Sequence, residues 1–132
     1  MIVYRPFQSG DLEPLHEFLA NSGFAERVQD RDRLEAMIKR SDRTVIAFDE
    51  GRIVGFARAL CDGVSNGYIS MVAVAPELRR QGIGRQLVEH LTEEKGGSIT
   101  WVLRAGRGSR AFWERLGFVA SEIAMERVRL NT

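Results

Sequence analysis

The chain is poor in the residues that carry redox and metal chemistry. One cysteine, Cys61, permits no internal disulfide, and one cysteine with two histidines offers no tetrahedral zinc set. No apolar run approaches the length of a transmembrane helix. The opening residues Met1 to Pro6 have neither the basic start nor the long apolar stretch of a signal peptide. The expectation is a cytoplasmic protein with no metal and no membrane partner. Charge of one sign is also scarce, because 19 Lys and Arg face 18 Asp and Glu, for a formal net charge of +1. The balance is uneven along the chain, however, and residues 79–115 hold 8 basic side chains against 4 acidic ones. That local excess is too small for nucleic acid, which needs a broad basic face with interleaved aromatics. It suits one compact polyanion.

What is present is the composition of a globular protein, 44% hydrophobic and 28% charged over 132 residues. That length predicts a single domain, 1–132, with one core of ordinary size. Ile2 to Arg5 can start a sheet, and a first helix is predicted from Asp11, with Pro14 at its third position, where a missing N–H costs no hydrogen bond. Leu12, Leu15 and Leu19 form its apolar stripe, and Leu34, Met37 and Ile38 mark a second helix from about Asp30 or Asp32 to Arg40. Two β-rich runs, Thr44–Phe48 and Ile53–Ala57, flank a tight hairpin, and Tyr68–Val74 continues an antiparallel meander. A third helix is predicted from Ile83 to Lys95, ended by Gly96-Gly97. Ile99–Leu103 follows as a strand that a right-handed crossover makes parallel to the one before it. Ser109 can cap a short helix that Gly117 ends, and Phe118–Ala120 and Ala124–Leu130 alternate well enough to be two more strands.

The stretch Val72-Ala-Val-Ala-Pro-Glu-Leu-Arg-Arg-Gln-Gly-Ile-Gly-Arg85 carries the chemistry. It reads as a strand ending at Pro76, a basic glycine-punctuated loop, and the start of an amphipathic helix. Gly82 and Gly84 leave no Cβ where consecutive N–H groups turn into the helix, and a helix N-terminus adds partial positive charge there. Arg79, Arg80 and Arg85 bring full charges. The loop therefore asks for a phosphate or pyrophosphate. A nucleotide P-loop is a poorer match, since no lysine or hydroxyl residue follows Gly84.

Three segments resemble the GNAT superfamily of acyl-CoA-dependent N-acetyltransferases, in the family's order. Arg79-x-x-Gly82-x-Gly84 matches its pyrophosphate loop, Val74-Ala75-Pro76 its Val-x-Pro strand end, and Ala111 to Phe118 its Phe-Tyr-Glu-Lys-Leu-Gly-Phe segment. The element order β-α-α-β-β-β-α-β-α-β-β extends the likeness over nearly the whole chain. The resemblance implies an α/β fold of the GNAT type: a mixed, mostly antiparallel twisted sheet of six to seven strands, about four helices, and fourth and fifth strands splayed apart. It implies acetyl-CoA as co-substrate, a small-molecule or peptide amine as partner, and often a homodimer. Arg79, Arg80, Gln81, Gly82, Ile83, Gly84 and Arg85 would hold the pyrophosphate, with Arg107 and Arg110 nearby. The backbone of Val72, Ala73 and Val74 would pair with the pantetheine arm and support the oxyanion.

One departure stands out. The family often takes its acid from a tyrosine in the last helix, and this chain has Trp113 there, whose indole N–H does not protonate a thiolate near neutral pH. By position Trp113 packs against the cofactor arm or the core. Water, Ser109 or Tyr68 remain as acids, and Tyr68 or Ser70, on the strand leading to the implied bulge, as the relay for a base. Asp62 and Glu122 are less well placed for that role. Two other readings stand beside transfer: a module that binds acyl-CoA without transferring the acyl group, and a serine hydrolase through Gly63-Val-Ser65-Asn-Gly67. The hydrolase elbow needs a helix after its serine, whereas Tyr68 onward reads as a strand.

Overall fold

The computed structural model describes residues 1–93 and 97–130. Five strands, β1 (Ile2–Arg5), β2 (Arg43–Asp49), β3 (Arg52–Cys61), β4 (Asn66–Val74) and β5 (Thr100–Leu103), form one sheet in chain order. The first three pairings are antiparallel and β4–β5 is parallel, as a helical crossover requires. The helices are α1 (Leu12–Ala20), α2 (Arg31–Lys39), α3 (Ile83–Thr92) and α4 (Arg110–Arg115).

The sheet is covered on both faces. Neighbouring residues Val45 and Ile46 are both buried, yet Val45 packs with Leu87, Val88 and Leu91 of α3, and Ile46 with Leu15, Leu19, Leu34 and Ile38 of α1 and α2. A strand that alternates between two apolar layers reads as a continuous apolar run, which is the pattern of Ile53–Ala57. Asp30 caps α2 by accepting from the Arg33 N–H at 3.0 Å. Asp11 precedes α1, but its carboxylate turns instead to the Arg5 guanidinium, at 2.8 and 3.0 Å, and to the Gln8 N–H. His16, at the edge of the α1 stripe, has its Nε2 2.9 Å from the Val28 carbonyl oxygen.

Two expectations are corrected. The sheet has five strands among the described residues, not six to seven, because 118–130 pairs with no strand. Val119, Ile123, Met125 and Leu130 are each at least 88% exposed. Alternation marks a segment as able to pair but supplies no partner edge, and past Phe118, which packs against the core, its large apolar side chains are exposed. Helix α3 ends at Thr92 with Glu93 extended, short of the predicted Lys95; the rest of that expected helix and Gly96 of its expected stop fall on residues 94–96, outside those described.

Candidate active site

The site is opened by a mismatch between β4 and its neighbours. Arg58 of β3 faces Met71 while Ala59 faces Ile69, so Ser70 is an extra residue, a bulge in β4. On the other side, β5 pairs with β4 only from Asn66 to Ile69 and stops at Leu103. Beyond the bulge, Met71 to Val74 have no β5 partner, so alternate backbone groups face a gap. The implied splay of the fourth and fifth strands is thus present, and its cause is local.

The gap is part of a cavity of about 1120 Å³. Ser22, Phe24 and Arg27 line one end, between α1 and α2; β4 from Ile69 to Val74 lines the middle; Leu78 to Arg85 and the α4 region line the rest. At the loop, Arg80 has φ +67° and Gly82 φ +85°, with Gln81 between them at negative φ. Alternating backbone hand turns successive N–H groups to one side, the geometry of an anion nest. No side chain caps α3, so its first amides are left for a ligand. A Cβ on Gly82 would meet nothing within 4 Å, whereas one on Gly84 would come 3.0 Å from the Phe112 ring. Gly84 is therefore needed for the close approach of α3 and α4, and Gly82 for the turn. Together an open cradle, free amides and Arg79 and Arg80, which have no carboxylate partner among the described residues, fit a diphosphate.

Arg79, Arg80, Gly82, Ile83, Gly84, Arg85, Arg107, Ser109 and Trp113 line this cavity, as do Ser70 and Val72 to Val74. Gln81 and Tyr68 do not. Arg110 lies outside the lining too, and its Nε is paired with Glu114 at 3.3 Å. Trp113 is 8% exposed and edge-on to Phe112 and Phe118, a packing role. The Ser109 hydroxyl donates to the Gly106 carbonyl at 2.7 Å, so its proton is already engaged. Ser70 Oγ accepts from Arg58 Nη2 at 3.0 Å. An acceptor of a cation's hydrogen bond is a weak base, and Ser70 is better suited to donate.

Sequence reading missed three arginines. Arg27, Arg104 and Arg115 line the cavity, making seven arginines with Arg79, Arg80, Arg85 and Arg107. The described lining contains no Asp, Glu, His or Lys. Asp62 is occupied elsewhere: it accepts from the N–H groups of Ser65, Val64 and Asn66 and from the Ser65 hydroxyl, which holds its carboxyl far below the ordinary range. Ser65 sits in that turn, and strand β4 follows it, so the helix a hydrolase elbow requires is missing.

Comparison with known proteins gives this geometry its family. Residues 13–130 match the model of the acetyltransferase (GNAT) domain. A serotonin N-acetyltransferase 2 of rice, described as chloroplastic, is 33% identical over 114 residues, which is 82% of this chain and 56% of the rice protein. The chain thus spans little more than half the length of that relative. Among solved structures, a GNAT-family acetyltransferase of Streptococcus pneumoniae superposes with a TM-score of 0.74 at 20% identity, covering 99% of this chain and 98% of that one. The PaiA N-acetyltransferase of Thermoplasma acidophilum, solved in complex with coenzyme A, gives 0.72 at 17% identity, covering 89% and 87%. These likenesses show the fold, and the family match over most of the chain shows descent: the chain belongs to the GNAT acetyltransferase domain family.

Proposed function

We propose that the protein is an acetyl-CoA-dependent N-acetyltransferase acting as a single domain, in which a primary amine attacks the thioester directly within a ternary complex. The observation that carries this reading is the continuity of one cavity from the arginine-rich loop before α3, past the unpaired Met71–Val74 edge, to the bulge at Ser70. Diphosphate, pantetheine arm and thioester need those three environments in that order. Arg79, Arg80, Arg85 and the amides from 80 to 85 take the diphosphate, and Arg107 and Arg115 extend the cationic wall. The backbone of Val72, Ala73 and Val74 pairs with the arm as an added strand would, and one N–H among them stabilises the carbonyl oxygen as it gains charge.

The amine nitrogen bonds to the carbonyl carbon, the C–S bond breaks, and coenzyme A leaves as a thiolate. With no carboxylate or imidazole in the described lining, the ammonium proton goes to water. Water also serves the thiolate, whose ordinary pKa near 8.5 makes unassisted departure feasible. Ser70 orients the acceptor in this scheme and does not relay its proton; Tyr68, outside the lining, does neither.

The reducing cytoplasm suits the half-buried free thiol of Cys61. The uncovered edge of β5 and the apolar, exposed 118–130 segment support pairing with a second copy. The test of function is free-thiol release from acetyl-CoA across a panel of primary amines. Amine-dependent release is expected. Tight coenzyme A binding with thiol release indifferent to every amine would instead mean a module that binds without transfer.

A further inference from the structure

Arg58 lies on β3 behind the bulge and is 7% exposed. Its Nη1 donates to Ser41 Oγ at 3.1 Å and its Nη2 to Ser70 Oγ at 3.0 Å, while its Nε has no hydrogen-bond partner among the described residues. A guanidinium has five N–H groups, so three of them have no described acceptor. No carboxylate pairs with it among the described residues. A buried charge held only by neutral hydroxyls is costly, and an arriving counter-ion would offset that cost. Arg27, an exposed residue, brings a second positive charge to the same place. Its Nη2 reaches the Ser70 carbonyl oxygen at 3.5 Å, its guanidinium lies 5.3 Å from the Phe24 ring centre, and it too lacks a described carboxylate. Loss of hydration pulls both arginines below their ordinary pKa, and Arg27 adds like-charge repulsion at Arg58.

Both cations meet at Ser70. That residue lines the cavity at the bulge, four residues upstream of Val74, or about 13 Å along an extended strand from the end of β4, with the diphosphate loop beyond it. A diphosphate seated on the loop therefore leaves this second cluster unneutralised. Nearby Arg104 is paired with Glu126 at 2.9 Å, and Arg129 adds further positive charge near Arg27. A polycationic acceptor would meet repulsion there from every side.

We propose that the acceptor is a primary amine bearing an oxyanion, a carboxylate or a phosphate monoester, and that Arg27 and Ser70 bind that oxyanion at the β4 bulge, with Arg58, outside the cavity lining, holding Ser70 from behind and adding its charge; this rests on the acetyltransferase reading above. Ser70 Oγ, already accepting from Arg58, has its own proton to donate to the same group. Arg27 is the adjustable arm and Arg58 the fixed floor.

The experiment compares kcat/KM for ω-amino acids from glycine to 6-aminohexanoate and for 2-aminoethyl phosphate with the matched neutral alkylamines, using saturating acetyl-CoA. An advantage of about tenfold or more for the best oxyanion acceptor is expected, as charge-assisted hydrogen bonds allow. Arg27→Gln should shrink that ratio toward unity through KM. The Arg58→Lys variant, which keeps the charge, should retain part of it. Calorimetry with the N-acetylated products and their neutral analogues, coenzyme A present, reads the same site without turnover. Neutral amines turned over as well as their anionic partners, or a preference that survives Arg27→Gln, would overturn the assignment while leaving acetyl transfer intact. Selective binding of the anionic products with no amine turned over would keep the oxyanion site and remove acetyl transfer.

Discussion

Replacing Arg80 with glycine should make the free protein more stable and a poorer binder of coenzyme A. Arg80 is exposed, has no carboxylate partner among the described residues, and holds φ at +67°. For a side chain with a Cβ, the left-handed region costs about 1–2 kcal/mol. Glycine removes that strain but gives the unfolded chain more freedom, worth about 0.5–1 kcal/mol in the opposite sense. The net gain is about 0.5–1 kcal/mol, or a rise in melting temperature of about 2–4 °C for a chain of this size. A charge-assisted hydrogen bond to phosphate contributes about 1.5–3 kcal/mol, less at an exposed site, so affinity should fall about tenfold. Thermal unfolding of the free protein and calorimetric titration with coenzyme A measure the two effects. Glu50→Gly is the control, because Glu50 also has positive φ, +50°, in the β2–β3 hairpin and does not line the cavity. It should gain similar stability and bind coenzyme A as wild type does. An Arg80→Gly protein that is less stable than wild type, or that binds equally well, would refute the reasoning that the loop stores strain in order to present a cation.

Trp113→Phe should lower stability by about 1–2 kcal/mol through lost burial and ring contacts and change kcat less than threefold, since the indole packs between Phe112 and Phe118. Arg110→Ala should leave coenzyme A affinity within about twofold, because charge-assisted contacts act at hydrogen-bond range and its partner is Glu114 outside the cavity. The Asp11 carboxyl is held below its ordinary pKa, chiefly by the hydrogen bonds from Arg5. It therefore adds stability above its unfolded pKa of about 3.9, lost as pH falls through the folded value. Asp11→Asn should cost about 1–2 kcal/mol at neutral pH, the lower part of the usual range because the Arg5 side chain is 33% exposed. Denaturant titrations should show the two proteins converging below about pH 4. Finally, kcat/KM for an amine should keep rising with pH toward the amine's own pKa, since no carboxylate or imidazole lines the described cavity.

The diphosphate loop was legible in the sequence because its backbone makes demands that only certain residues meet. A turn at φ +85° calls for glycine, and Gly82 is there. The meander and crossover were legible for a similar reason, since the Glu50-Gly51 hairpin and the apolar run of β3 each admit few alternatives. The last strands misled because alternation in Ala124–Leu130 speaks of one chain, whereas pairing takes two edges. Arg110 was placed near the phosphates, although Glu114 four residues on, the neighbour that now holds it, was visible from the start. Arg27 and Arg58 left no local trace at all. They are 31 residues apart, and the bulge that lets both reach Ser70 is a property of strand register, which no single segment encodes.

The central claim is that backbone groups in two places, the amides from 80 to 85 and the edge from 71 to 74, receive one ligand. Titrating coenzyme A into isotope-labelled protein and following each amide by nuclear magnetic resonance tests this directly. The account predicts saturable shifts at both stretches together, with slowed hydrogen exchange at those amides, in a single binding event. Shifts confined to other surfaces, or saturation that leaves the 71–74 edge unchanged, would contradict it.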